Sequence, residues 1–183
     1  MSDETDRTPE RDEHDIVDDT TVEAPPEPER VHGQLATDSR GQTVLHVGRH
    51  ELATFVLELR DDEGYDSCID VTAVDYLTYE SPRELPPDVE PERFELVVML
   101  LSHTHRTRLR LRVQVPEDDP AVPSLFEVHP GTEAMEREVY DLFGIRFDGH
   151  PDLTRILMPE DWDGHPLRKD YAVGRIPVQF KGA

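Results

Sequence analysis

Histidine is the side chain best placed to move protons or hold a metal near neutral pH. Two of the nine histidines repeat one setting, Asp148-Gly-His-Pro-Asp152 and Asp163-Gly-His-Pro-Leu167. A mononuclear metal centre could use His150 and His165 with Asp152 or Asp163. The commoner role of Gly-His-Pro is a tight turn whose imidazole bonds to neighbouring backbone, and that reading is preferred. His103 and His105 share a strand parity but fall where a hairpin turn is expected, and two ligands do not complete a coordination shell. The single cysteine, Cys68, excludes an internal disulfide or any cluster held by several thiolates of this chain. It reads as a small buried residue of a strand. No glycine-rich phosphate loop, GxSxG, HExxH or CxxC is present.

Charge is the other chemical resource. Arg108, Arg110 and Arg112 alternate along one stretch, a pattern that suits an anion but more simply a solvated strand face satisfied by nearby carboxylates. Glu136, Arg137, Glu138 and Asp141 predict a charged helical face, with Arg137 and Asp141 spaced to pair across one turn. If a partner covers that face, such charges become buried pairs that fix docking geometry. The chain as a whole carries 41 acids against 19 bases, a net charge of −22. That balance disfavours nonspecific nucleic-acid binding and direct adhesion to anionic lipid. No apolar run approaches the roughly 20 residues that a membrane helix needs. Leu96–Leu101 is the longest. The opening residues lack the basic start and apolar centre of a secretion signal, so a cytosolic setting is expected.

These residues need elements to hold them. Residues 1–30 contain twelve acids, three arginines and no aromatic residue, which predicts a disordered acidic tail. Thr43–Val47 reads as a short strand, and Leu52, Phe55, Val56 and Leu59 place an amphipathic helix from about His50. Ser67–Leu77 alternates through Ile69, Val71 and Ala73 as a half-buried strand. The prolines of Glu80–Pro91 predict a loop. Phe94–Leu101 and Thr107–Val115 form a hairpin turning near Thr104. The first of these strands is apolar on both parities, which predicts cover on both faces, by helices or by another subunit. Met135, Val139, Leu142 and Phe143 define a second helix, capped by Thr132 and ended by Gly144 in a left-handed conformation.

From Ile145 onward glycine and proline punctuate scattered apolar residues, among them Leu153, Ile156, Leu157, Met158, Trp162 and Tyr171. Those side chains would be unfavourable in water, so an extended arm lying along another protein is expected. The fold class expected is therefore α/β: a two-layer domain over 31–145 with a small mixed or antiparallel sheet and two main helices. An irregular C-terminal arm over 146–183 follows it.

One ordered succession of motifs is more specific than any of its parts. Glu136-Arg-Glu-Val-Tyr-Asp-Leu-Phe-Gly-Ile145 leads to Gly149-His-Pro-Asp-Leu153, Arg155-Ile-Leu-Met-Pro-Glu-Asp-Trp162 and Gly164-His-Pro-Leu-Arg-Lys-Asp-Tyr171. It resembles the 30 kDa (C) subunit family of the proton-pumping NADH–quinone oxidoreductase, respiratory complex I. Thr154, Ala134 and Ala172 depart from the basic, aromatic and proline residues usual in that family. The resemblance implies a peripheral subunit on the cytoplasmic side of the cell membrane, with no catalytic residue of its own. It implies that FMN and iron–sulfur clusters sit in partner subunits and that this chain binds no cofactor. The implied partners are the D (49 kDa), B and I subunits. The implied interface residues are Glu136, Arg137, Glu138, Asp141, Phe143, His150, Arg155, Trp162, His165, Arg168 and Tyr171. Two other readings stay open: the equivalent subunit of a membrane-bound hydrogenase or a ferredoxin- or F420-linked complex, and a free-standing metal-dependent enzyme using His150 and His165.

Overall fold

A computed structural model describes residues 29–172. The first helix is α1, Leu52–Asp61, and the four residues that predicted it are all buried. The strands are β1 (Arg30–Val31), β2 (Gln34–Ser39), β3 (Gln42–His46), β4 (Ser67–Asp75), β5 (Phe94–Ser102) and β6 (Thr107–Val115). They make one sheet in the order β1-β2-β3-β6-β5-β4. Every pairing is antiparallel except β3 with β6, so the sheet is mixed. The expected hairpin is β5–β6, in register from Phe94 opposite Val115 to Ser102 opposite Thr107.

The second helix, α2, spans Glu133–Phe143 after a short 3-10 turn. Both helices pack on one face of the sheet. Phe55 and Leu59 of α1 and Val139 and Phe143 of α2 share a single core with Leu96, Val98, Leu100, Leu109, Leu111 and Val113. The expected two-layer α/β class is what the chain forms. A second, two-stranded parallel sheet joins β7 (Ala121–Pro123) to β8 (Arg146–Asp148). No helix among the described residues is long and apolar enough to cross a membrane.

Four expectations need correction. First, periodicity does not reveal β1 and β2, and Arg30, assigned to the acidic tail, opens β1. Leu35 and Ala36 are adjacent and both buried, so the stretch lacks clean alternation. The legible signal is in the turns. His32-Gly33 and Arg40-Gly41 both hold positive φ, the two-residue geometry that matches strand twist.

Second, Ile69 does not face the core. The β4 register shifts between Cys68 and Asp70, a bulge that leaves Ile69 39% exposed while Val71 and Ala73 stay buried. Third, among the described residues helices cover β5 on one face only, so the cover expected on the other face is not a helix of this domain. Leu96, Val98 and Leu100 are sealed, whereas Val97, Met99 and Leu101 are half-buried opposite them. At one end of that outer face Glu95 is buried, held by Arg112 Nε at 2.7 Å and Gln114 at 2.6 Å, and the proline loop closes over it through Arg112 and the Glu84 carbonyl. Fourth, Thr132 does not cap α2 with its side chain. Its hydroxyl donates to Glu136 Oε1 at 2.9 Å.

Gly144 ends α2 as expected, at φ +73°. The acidic tail over 1–28 and the arm over 173–183 lie outside the described residues.

Candidate functional site

The last turn of an α-helix leaves carbonyl oxygens without intrahelical donors, and its dipole favours positive charge there. The end of α2 is finished by the chain that returns to it. His165 Nδ1 donates to the Asp141 carbonyl at 2.9 Å, the Leu167 amide to the Leu142 carbonyl at 3.0 Å, and Arg168 Nε to the Phe143 carbonyl at 2.5 Å. Three consecutive carbonyls of the last turn are thus occupied by the Gly-His-Pro-Leu-Arg segment.

The Asp141 side chain takes the other strand of the arm. Its Oδ2 accepts the amides of Ile156, Leu157 and Met158 at 3.1, 2.7 and 2.8 Å, and Oδ1 pairs with Arg155 at 2.6 Å. Arg155 also donates to the Gly164 carbonyl at 3.0 Å, joining the two strands of the arm to each other. Burial alone would raise the Asp141 pKa. The Met158, Leu157 and Ile156 amides and the Arg155 guanidinium outweigh it and hold the carboxyl below its ordinary range. Burial is also the leading cause that lowers the His165 pKa, which keeps the imidazole neutral.

The expected Arg137–Asp141 pair is therefore absent, because Asp141 is fully buried against four donors from the arm. Arg137 instead donates to the Thr154 carbonyl at 3.1 Å, the Thr154 hydroxyl at 2.9 Å and the Arg155 carbonyl at 3.2 Å. Thr154, one of the departures from the family pattern, is thereby accounted for. Its hydroxyl supplies an acceptor where a basic side chain would supply none. A solvated charged face is likewise not what α2 presents. Glu136 is fully buried, accepting from the Ser124 hydroxyl at 2.6 Å, the Leu125 amide at 2.7 Å and Thr132. Glu138 alone of the four is exposed.

Two anchors of the arm lie in residues that sequence reasoning passed over. Asp75, at the end of β4, accepts the Lys169 amide at 2.8 Å and pairs with Arg93 at 3.0 Å. Arg93 in turn reaches Asp170 at 2.8 Å and Glu117 at 2.5 Å. No local pattern reports a contact between residues 75 and 169. The Gly-His-Pro turns form as preferred: His150 Nε2 donates to the Glu133 carbonyl at 3.1 Å, and its Nδ1 accepts the Asp152 amide. Among the described residues no group of three or more His, Cys, Asp or Glu side chains converges as a metal site would require.

The sequence predicts an arm lying along another protein; its described part, to residue 172, also folds back along α2 of its own domain. What it does not bury is the informative part. Ile156, Leu157 and Leu167 remain 41%, 58% and 45% exposed on a backbone fixed by Asp141 and Leu142. Trp162 is half-buried and Phe143 is in the core.

Gly144 sits at the tightest point. A Cβ there would meet the His165 ring at 2.6 Å and Arg168 Nη2 at 2.7 Å. Gly144→Ala is expected to cost about 1–2 kcal/mol for the left-handed backbone, with loss of both cap contacts besides. A thermal midpoint lower by several degrees checks it, and an unchanged midpoint would contradict the close approach.

Residues 45–176 match the family described as the respiratory-chain NADH dehydrogenase 30 Kd subunit. The C subunit of the NADH-quinone oxidoreductase of Saccharopolyspora erythraea is 50% identical over 149 residues, covering 80% of this chain and 56% of that protein. The protein of the same name from Nocardia farcinica is 49% identical over 146 residues, covering 79% and 54%. The chain thus spans little more than half the length of these relatives. Among solved structures, the trypsin-resistant fragment of Nqo5 is similar at 35% identity and a TM-score of 0.58, over 66% of this chain and 90% of that one. A chain of an archaeal membrane-bound sulfane sulfur reductase shares the fold at 22% identity and a TM-score of 0.62, over 82% and 88%. Arg137, Asp141, Arg155, His165 and Arg168, which clasp the arm to α2, all fall inside the matched region, and the chain belongs to the 30 kDa subunit family of respiratory-chain NADH dehydrogenase.

Proposed function

We propose that this chain is a non-catalytic docking subunit of a proton-pumping NADH–quinone oxidoreductase, holding redox-bearing partners at fixed spacing. The observation that carries the reading is the apolar ridge of Ile156, Leu157 and Leu167, exposed yet built on backbone pinned by buried hydrogen bonds. A rigid ridge loses little conformational entropy on association, which is what a positional subunit requires. In this reading FMN and iron–sulfur clusters belong to partner subunits and carry electrons from NADH to quinone, and the chain itself holds no cofactor. The D, B and I subunits are its partners, and it attaches to the cytoplasmic side of the membrane through them. Glu138, Trp162 and Tyr171 extend the contact surface beside the ridge, with His150 at the far end of α2.

Burying a leucine side chain contributes about 2 kcal/mol, so Leu157→Asp is expected to weaken retention in the assembled complex about 30-fold. The test is affinity purification from native membranes, with mass-spectrometric identification and quantitation of what accompanies the chain. Undiminished recovery of the D subunit with the variant would refute the ridge as the docking surface. Sharing a fold with a chain of another respiratory membrane complex sustains a second reading, the equivalent subunit of a hydrogenase or of a ferredoxin- or F420-linked enzyme. An NADH-binding flavoprotein in the purified assembly decides for the first, and its absence for the second.

A further inference from the structure

A second surface lies on the opposite side of the sheet from the helices. Arg108 and Arg110 are two residues apart on β6 and share the face opposite buried Leu109 and Leu111. Arg110 Nη2 donates to Gln42 at 2.5 Å, and β3 runs beside β6 with Val44 opposite Arg110. That register brings the β2–β3 turn, with exposed Arg40, to the same end as Arg106 in the β5–β6 turn. Gly41, Gln42, Arg106 and Arg108 line one cleft at this end of the sheet, together with Val31, Tyr65 and Leu109 from the core side.

Arg93, Arg112 and Arg155 each hold a carboxylate that is almost wholly buried. Among the described residues none of Arg40, Arg106, Arg108 and Arg110 has an ion-pair partner. Arg30, Arg83 and Arg168 also lack an ion-pair partner among the described residues, but each donates to a backbone carbonyl. The nearby Asp38 carboxylate accepts the Gly41 amide at 3.0 Å. Four guanidinium groups at one end of the sheet, none of them in an ion pair within the described residues although Arg110 shares a cleft with Asp38, Glu84 and Glu95, can receive several carboxylates in succession.

The chain itself supplies such a sequence at the right place. The Glu29 carbonyl accepts the Ala36 amide at 2.8 Å, so the polypeptide enters the sheet at β2. The residues that precede Glu29 hold eleven acids against two arginines. A chain of that many residues reaches about 30 Å even as a random coil, whereas β2 and β6 lie two strand spacings, about 10 Å, apart. Covalent attachment makes the local concentration millimolar in order, enough for several weak ion pairs to act together.

We propose that the acidic segment 1–28 binds the Arg40, Arg106, Arg108 and Arg110 cluster on the outer face of the sheet. This surface is independent of the ridge on the arm. Its test uses the full chain with Thr21→Cys carrying a nitroxide. Cys68 is replaced by serine in the labelled chain, because it is free and only half-buried. At about 0.01 M salt the amide signals of Gln42 and Arg106 to Arg110 are expected to lose at least half their intensity. They recover at about 1 M salt, where the Debye length falls to about 3 Å. They also recover in Arg106→Glu/Arg108→Glu, two exposed positions, while the α2 signals of that variant stay in place. Should that variant not fold, the salt series on the labelled parent decides alone. Undiminished signals at low salt would leave the cluster to some other acidic polypeptide and overturn the proposal. Broadening centred elsewhere would overturn it too, and so would broadening that grows with protein concentration, the mark of a second copy.

Discussion

Asp141→Ala is expected to open the arm, raising the population in which residues 153–158 leave α2 by about 10²- to 5 × 10³-fold. The magnitude follows from breaking a buried ion pair, about 3–5 kcal/mol, since the variant leaves Arg155 without its carboxylate. The Ile156, Leu157 and Met158 amides lose their acceptor at the same time. Orphaned donors are unfavourable only while they stay dry, so the arm detaches into water instead of the sheet unfolding. Hydrogen exchange at those three amides and tryptic cleavage after Arg155 report the change, with the β5 and β6 amides as the internal reference. Wild-type exchange rates at residues 156–158 in the variant would refute the clasp. Acid should do the same to the parent chain. The folded pKa of Asp141 is depressed below its ordinary 3.8, so its stabilisation is complete above that value and is lost as pH falls through the folded pKa. In Asp141→Asn, where nothing titrates, that dependence is expected to vanish.

The sequence made the helices and the hairpin legible because each has a period. Leu52 to Leu59 recurs at helical spacing, and Leu109 to Val115 alternates, so burial of one face could be read directly. It made β2 and the bulge at Ile69 illegible for the complementary reason: burial there follows register and turn geometry, which composition does not encode. The site divides along the same line. Motif resemblance selected Asp141, Arg155, His165 and Arg168, which the structure brings together. The resemblance implies them as subunit-interface residues; that each also bonds to backbone within the chain, Asp141 as acceptor and the other three as donors, is not legible. An aspartate whose partners are three consecutive amides fifteen to seventeen residues later looks, in one dimension, like any solvated acid on a helix. Asp75 and Arg93 carry no motif at all, and their link to Lys169 and Asp170 exists only through the return of the arm to the sheet.

Glu136 is the second fully buried acid of α2, and its environment acts in the opposite sense. Burial is the leading cause and raises its pKa; the Ser124 hydroxyl, the Leu125 amide and the Thr132 hydroxyl oppose this without cancelling it. An acid whose folded pKa lies above its ordinary 4.5 stabilises the fold below that value, and the advantage fades as pH rises through the folded pKa. At neutral pH the charge is therefore a liability and the hydrogen bonds are the asset. Glu136→Gln keeps an acceptor oxygen for the Leu125 amide, and hydroxyls can rotate to suit an amide nitrogen. It is expected to leave stability within about 1 kcal/mol of the parent, because the charge removed was disfavoured by burial. Glu136→Ala leaves the buried Leu125 amide unpaired beside a new cavity and is expected to lose about 3–4 kcal/mol. Urea unfolding of the two variants at neutral pH separates the roles. If glutamine proved as damaging as alanine, the ionised charge itself would be what the fold requires, and the hub formed by Ser124, Leu125 and Thr132 would not account for Glu136. The same pair distinguishes an internal role from an interface one: a hub loses stability in the isolated chain, whereas an interface residue loses only its place in the complex.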